Sequence, residues 1–517
     1  MHGRLSRSLV ALGAFVGAGF LVVGTLPASA RAAGPAKPTS HRTTTTSSST
    51  TTSSSTTTSS STTTSSSTTT TTVSGGGGAA TFSTGQLNAG TIGSTGCVTN
   101  TAGEPAIHVR KTNGLTDTVV LGSEDGLGGG SQAWRGVGQD GGAGAGACSL
   151  EYRGQPNAVG GTGASGGDID IAIGSARGPS GFDPIYVSSL NVGSVNVATS
   201  TDNATTFRQV PVQGGLPVDD REWVAAFGAS TSLLTFHDIA SSEIDVLRSD
   251  NTGQAYTQIA QAIPVTALQA TSNEIGNIVI DHLNTAGTVA NPLGQTPVFW
   301  AYQSFVGPRA ATDSLFNEAF ISSSNDGGYT WTAHPIPCSV TATSSANGLN
   351  HQFPNVSVAP NGNVWATWTD DVNIFTAVSS DHGSTWTCSG PVSTNTRQAV
   401  MPWIAATSSG VDLVYYGATT TPSSTQPWSV YFVQNAASSA TGWGTPQSVV
   451  SVHTGTVCEQ GATCGSGRQL FDDFGIDTDS LGFAHIAYSH DAPALGGAGT
   501  YTGYAVQTGG TRVGSPN

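Results

Sequence analysis

The chain has 517 residues, 68 of them glycine, with only 9% charged side chains and a formal net charge of −15. An acid-rich surface with few Lys or Arg repels phosphate backbones and anionic lipid, which excludes nucleic acid as a partner. Gly, Ser and Thr stand where charge is usually found, a composition that fits an extracellular protein of short strands and tight turns.

Arg4 and Arg7, an apolar run from Leu9 to Leu26 and the small residues Ala28-Ser-Ala30 follow the order of a secretory signal peptide, residues 1–30. The run approaches a bilayer span, so a retained N-terminal anchor is the alternative; no other segment is apolar enough to cross a membrane. Cleavage would remove two of the 17 Lys and Arg and none of the 32 Asp and Glu, leaving a net charge of −17. From Thr43 to Thr72 every residue is Ser or Thr, and Gly75 to Gly78 follow. With no apolar side chain to bury, residues 31–80 read as a disordered, O-glycosylated stalk and linker. Residues 81–517 remain for the folded body.

Residues around Ala106 to Leu121 and Cys148 to Gln155 read as a distorted first four-stranded unit. Three-strand patterns then recur: Ile169–Ile173, Ile185–Ser188 and Val195–Ala198; Trp223–Phe227, Leu233–Phe236 and Ile244–Leu247; and Ile275–Ile280, Val298–Tyr302 and Ala319–Ser322, with a long loop between the second and third strands. The clearest copy runs Phe353–Ala359, Val364–Trp368 and Ile374–Val378, followed by Trp403–Ala406, Leu413–Tyr416 and Val430–Val433. The last, Phe474–Ile476, Ala484–Tyr488 and Thr502–Val506, lacks a fourth strand, and a segment between Thr81 and Asn100 is the natural donor. Six cysteines in an exported chain predict disulfides, and spacing pairs Cys97 with Cys148, Cys338 with Cys388 and Cys458 with Cys464.

Four units end in one motif. Ser324-Asn-Asp326-Gly-Gly328-Tyr-Thr330-Trp331 and Ser379-Ser-Asp381-His-Gly383-Ser-Thr385-Trp386 are near copies. Ser200-Thr-Asp202-Asn-Ala204-Thr-Thr206-Phe207 and Ser249-Asp-Asn251-Thr-Gly253-Gln-Ala255-Tyr256 are weaker ones. An Asp or Asn oxygen can bond the N–H groups ahead of it, a Gly takes positive φ, and the closing ring packs into a core. The pattern resembles the Asp box of the BNR-repeat, sialidase-like β-propellers, from about residue 100 onward. The resemblance implies an all-β propeller of four-stranded antiparallel blades with the boxes on the face away from the site. It favours six blades; the count of units favours seven.

In an antiparallel blade the starts of first strands and the ends of second strands share the face opposite the boxes. That rule selects Asp168, Asp170, Asp219, Asp220, Arg221, Glu222, His237, Asp238, Glu274, Tyr302, Gln303, His351, Asp370, Asp371, Arg397, Tyr416, Arg468, Asp472, Asp473, His490 and Asp491. A sialidase holds its substrate carboxylate with three arginines, for which the resemblance offers Arg221, Arg397 and Arg468. It would assign Tyr302 or Tyr416 as nucleophile with Glu274, and Asp220 or Asp370 as acid and base. Glu222, His237, Asp238, His351, Asp371, Asp472 and Asp473 would bind substrate. The family's first-blade Arg-Ile-Pro signature is absent, and acids outnumber arginines at this face, which suits a neutral glycan better than an anionic one.

Of adjacent acids such as Asp219 and Asp220, Asp370 and Asp371, or Asp472 and Asp473, alternation would point only one to the channel. Such acids could act on a neutral glycan, bind Ca²⁺ through hard oxygen ligands, or do neither; no cofactor motif is present, and Asp477-Thr-Asp479-Ser-Leu-Gly482 is half a Ca²⁺ loop in a strand-to-strand turn. Three readings follow: a secreted, monomeric glycoside hydrolase, a non-catalytic glycan-binding or adhesion module on a stalk, and a structural surface protein.

Overall fold

The computed structural model describes residues 69–72 and 78–514, apart from segments 112–114, 127–128, 158–164, 192–193, 213–218, 341–347, 350–352, 460–463 and 492–499. The signal segment and most of the stalk lie outside the described residues. Seven antiparallel sheets follow one another along the chain, so the count given by the repeats holds and the six favoured by resemblance does not. Among the described residues no helix is long and apolar enough to cross a membrane.

Each sheet begins with its innermost strand. These are Gly103–Arg110, Ser165–Ile173, Asp219–Phe227, Glu274–Ile280, Asn355–Val358, Gln398–Ala406 and Gly475–Thr478 in blades one to seven. Successive inner strands touch, and the seventh returns to the first, closing the ring. The first blade, expected to be distorted, is a regular four-stranded sheet of Gly103–Arg110, Thr118–Glu124, Ser131–Val137 and Glu151–Gly154. The seventh is completed from the other end of the fold: Thr81–Gln86 pairs with Tyr501–Gly509, and Thr69–Thr72, expected within the disordered stalk, adds a fifth strand beyond it. This removes the open edge that a three-stranded last blade would present.

The fourth blade departs from expectation. Its second strand is Ala301–Gly307, so the long loop, residues 281–300, joins the first and second strands rather than the second and third.

The box turns share one geometry. Ser324 donates its hydroxyl to Asp326, which accepts the N–H groups of Tyr329 and Thr330 and the Thr330 hydroxyl, while Ser324 Oγ accepts the Gly328 N–H. Both residues after the acid are left-handed, as in Gly327 (φ 84) and Gly328 (φ 98) or His382 (φ 60) and Gly383 (φ 91), where the sequence suggested one. Trp331 is buried in the main core, and Trp386 is half-buried. Asp202, Asn251 and Asp381 accept hydrogen bonds in the same way.

Three disulfides join Cys97 to Cys148, Cys338 to Cys388 and Cys458 to Cys464, the pairs that spacing selects. The second ties the end of blade four to the outer strand of blade five.

Candidate functional site

Strand register fixes which end of the ring each candidate occupies. In blade three Ser232 pairs with Ser249, at the box, and Asp219 with Asp238, at the other end of the same strands. The box-distal end is therefore where inner strands begin and second strands finish. Its floor is aromatic: Trp223 of blade three lies 5.4 Å from Trp403 of blade six and 5.6 Å from Phe353, ring centre to ring centre. Rings from opposite sides of the ring of blades thus fill the axis and turn the mouth into a closed basin.

The inner strands are irregular where they enter this basin. Their register shifts between Gly103 and Ala106, Ser165 and Ile169, Asp220 and Glu222, Ile275 and Ile278, and Val400 and Trp403. A bulge re-aims side chains that alternation would send apart. Glu104 (φ 50), Arg221 (φ 45) and Met401 (φ 53) are left-handed within these bulges, a strained state for residues with a side chain.

Arg221, 3% exposed, lies on the aromatic floor with its guanidinium 4.0 Å from the centre of Trp223 and 4.6 Å from that of Phe353. It donates to Glu104 at 2.6 Å and to Asp473, with Asp168 at 3.7 Å. Arg468, a third exposed, donates to Asp472. Around these two cations stand Glu104, Glu124, Asp168, Asp220, Glu222, Glu274, Asp472 and Asp473. Burial raises Glu104 and Glu222 well above the ordinary range, Arg221 opposing. Burial also pushes Asp473 up to about 8 against the pull of Arg221, and Glu274 to about 8, with Asp220 and Asp472 adding repulsion.

Beside the basin is a cavity of about 300 Å³ lined by Asp371, Gln398, Val400, Trp428, Val457 and Glu459. The Glu459 carboxyl hydrogen-bonds to that of Asp371, and burial followed by Asp371 holds it well above its usual value. Its wall is apolar on the Val400, Trp428 and Val457 side and acidic on the other.

Of the residues selected from the sequence, Arg221, Arg468, Glu274, Asp220, Glu222, Asp472 and Asp473 meet at the basin, and Asp371 lines the cavity. Others stand apart. Tyr302 opens its strand instead of ending it, which places it at the box end, where its hydroxyl bonds His382 Nδ1 at 2.7 Å. Tyr416 is fully buried, and its hydroxyl accepts the Ser489 N–H at 2.8 Å. Arg397 is exposed, and its backbone N–H bonds the Ala418 carbonyl. Asp370 caps the turn at Val372 and Asn373, and Asp238 the turn at Ala240 and Ser241. His237 pairs across strands with Asp220 and Ile244, and Asp219 is buried near Asp238 and Asp245. His351 lies outside the described residues.

Asp472 and Asp473 both engage the cluster, against the alternation rule, because they precede the regular strand that begins at Gly475. Asp477 instead bonds Lys111, and Asp479 caps its own turn and bonds His485, so this half-loop is held by protein groups.

Three members were not selected from sequence. Glu104 and Glu124 obey the same positional rule, but reading the first blade as distorted hid them. Glu459 sits in the Cys458–Cys464 loop, where no strand pattern marks a residue.

No protein-family model matches the chain, and no curated protein matches it in sequence. Among solved structures it is similar to a GH74 enzyme of Niastella koreensis, with a TM-score of 0.42 and 15% identity over 81% of this chain and 55% of that one. A PL25 ulvan lyase gives 0.46 and 9%, over 79% and 95%. AofleA from Arthrobotrys oligospora gives 0.40 and 12%, over 69% and 88%. The chain thus spans about half the length of the GH74 enzyme. No residue role carries over at these identities.

Proposed function

We propose that the chain is a secreted, sialidase-like propeller that hydrolyses a neutral glycan at its box-distal mouth. The cavity shared by Asp371 and Glu459 carries this reading: it offers a buried carboxyl held well above its usual range by burial and by Asp371, in a lining that includes Trp428. Glu459 would give its proton to the glycosidic oxygen as the carbon–oxygen bond breaks. Asp472, which acts electrostatically on Glu459 and bonds Arg468, would take the proton of the water that adds to the sugar carbon. The box motif supports kinship with the BNR propellers. Sialoside cleavage is less supported, because Arg221 is occupied by buried carboxylates and the candidate Arg397 is exposed to solvent. The leader-like N-terminus, the Ser/Thr tract and three disulfides support export.

The test is release of reducing ends from a panel of neutral polysaccharides and aryl glycosides. Glu459→Gln should lower release by about 10²-fold or more with the melting temperature held or raised. No release from any neutral substrate, or release from a sialoside alone, overturns the proposal. One observation favours the binding module instead: the Glu459 carboxyl is bonded to Asp371, so the hydrogen bond it would give a glycosidic oxygen is already engaged within the protein. A glycan-array signal without hydrolysis would select that reading.

A further inference from the structure

Glu104, Glu124 and Asp168 take no part in the proposed hydrolysis, yet one carboxylate oxygen from each lies within 4.8 Å of one from each of the others. Oxygens bound to Ca²⁺ sit about 2.3–2.6 Å from the ion, so ligands on opposite sides are up to about 5 Å apart. The spacing therefore fits one ion among the three groups. Two strands of blade one and the inner strand of blade two build it. Glu104 is turned inward by its left-handed bulge, Glu124 ends the strand opposite Gly103, and Asp168 lies in the next blade's bulge.

Two further features point to a positive partner at this place. Glu104 gives Oε1 to Arg221, but its buried Oε2 has no hydrogen-bond partner. Glu222 is fully buried with both carboxylate oxygens unpartnered, and Asp168 is the strongest charge acting on it. Unpaired buried carboxylates are among the costliest groups a fold can hold. Arg221 bonds Glu104 and lies 3.7 Å from Asp168 but also bonds Asp473, and Arg468 bonds Asp472, so two guanidinium charges stand against Glu104, Glu124, Asp168, Glu222, Asp472 and Asp473. The donors are all hard oxygens, with no sulfur or imidazole among them, which selects an alkaline-earth ion over zinc or copper.

We propose that Glu104, Glu124 and Asp168 bind a divalent cation of the calcium type, entering beside the partly exposed Asp168, with Glu222 beneath as a further negative charge. The ion would pin blade one to blade two at the mouth and relieve repulsion among carboxylates of the basin.

The full chain, stripped with EDTA and exchanged into chelator-free buffer, is unfolded thermally with and without about 1 mM Ca²⁺ or Mg²⁺, the range in which extracellular calcium sites fill. Ca²⁺ should raise the melting temperature by a few degrees, Mg²⁺ by less, and Tb³⁺ should show emission sensitised through nearby Trp223. Asp168→Asn and Glu124→Gln should each lose both responses. Having one repelling carboxylate fewer, each should melt at or above the wild-type temperature in EDTA. An unshifted wild type without Tb³⁺ emission overturns the site, as does an Asp168→Asn protein that responds like wild type. A shift with Mg²⁺ alone overturns the calcium assignment. Neither readout involves a glycan, so the outcome is independent of the hydrolysis test.

Discussion

Arg221 shows how one residue can be chosen correctly from sequence for a location and still be mistaken in its surroundings. Its position at the head of an inner strand put it at the mouth, but nothing in the sequence said that Glu104 and Asp473 would close on it. Removing it would leave those acids buried without their cation, so Arg221→Ala should cost about 3–5 kcal/mol in chemical unfolding rather than act on ligand alone. Asp412 gives a second test at this scale. It is fully buried, one oxygen accepts from Gln434 at 2.9 Å and the other has no partner. Burial lifts it from 3.8 to about 8, with Gln434 opposing. Between those values the unfolded chain has released this proton and the folded chain keeps it, so its effect on stability falls as pH rises through that window. Asp412→Asn should therefore stabilise at pH 7 by on the order of 2–4 kcal/mol, with the gain vanishing near pH 3.5 in melting curves.

At the scale of strands and turns, the repeated box was the most legible feature because its hydrogen bonds are local: none of them joins residues more than four positions apart. Asp326 is 2% exposed and Asp381 is only half-buried, although both make the same set of bonds. Asp326→Ala should thus cost about 1–3 kcal/mol and Asp381→Ala less, measured by urea unfolding. The bulges were not legible. A register shift depends on the partner strand, which lies up to dozens of residues away, and no residue between Asp220 and Glu222 announces it. The alternation rule failed for a different reason at Asp472 and Asp473, which precede the regular strand at Gly475 and so escape its alternation. Tyr302 was misplaced for a related reason: the long loop before Ala301 contains Phe299 and Trp300, an apolar run that imitates the start of a strand.

For the whole molecule, seven units could be counted in the sequence, and the donor segment for the last blade could be located, because an unpaired edge demands a partner. The axial floor could not be foreseen, since Trp223 and Trp403 are 180 residues apart and meet only when the ring closes. Closure should be tested by deleting residues 78–86. Loss of Thr81–Gln86, and with it the pairing of Thr69–Thr72, should expose the edge of Tyr501–Gly509 and lower the urea midpoint together with loss of monomeric behaviour on gel filtration.

The closing strand also determines how the body responds to a pull. Gly78 and Thr511 are bonded to one another where the chain enters and leaves the ring. Tension drawing those two points apart would load the Thr81–Gln86 ladder at one end, parting its rungs one after another like a zip. Shear loading, which strains all rungs together, resists far larger forces; pulled at these two points, the seam parts by the easier route.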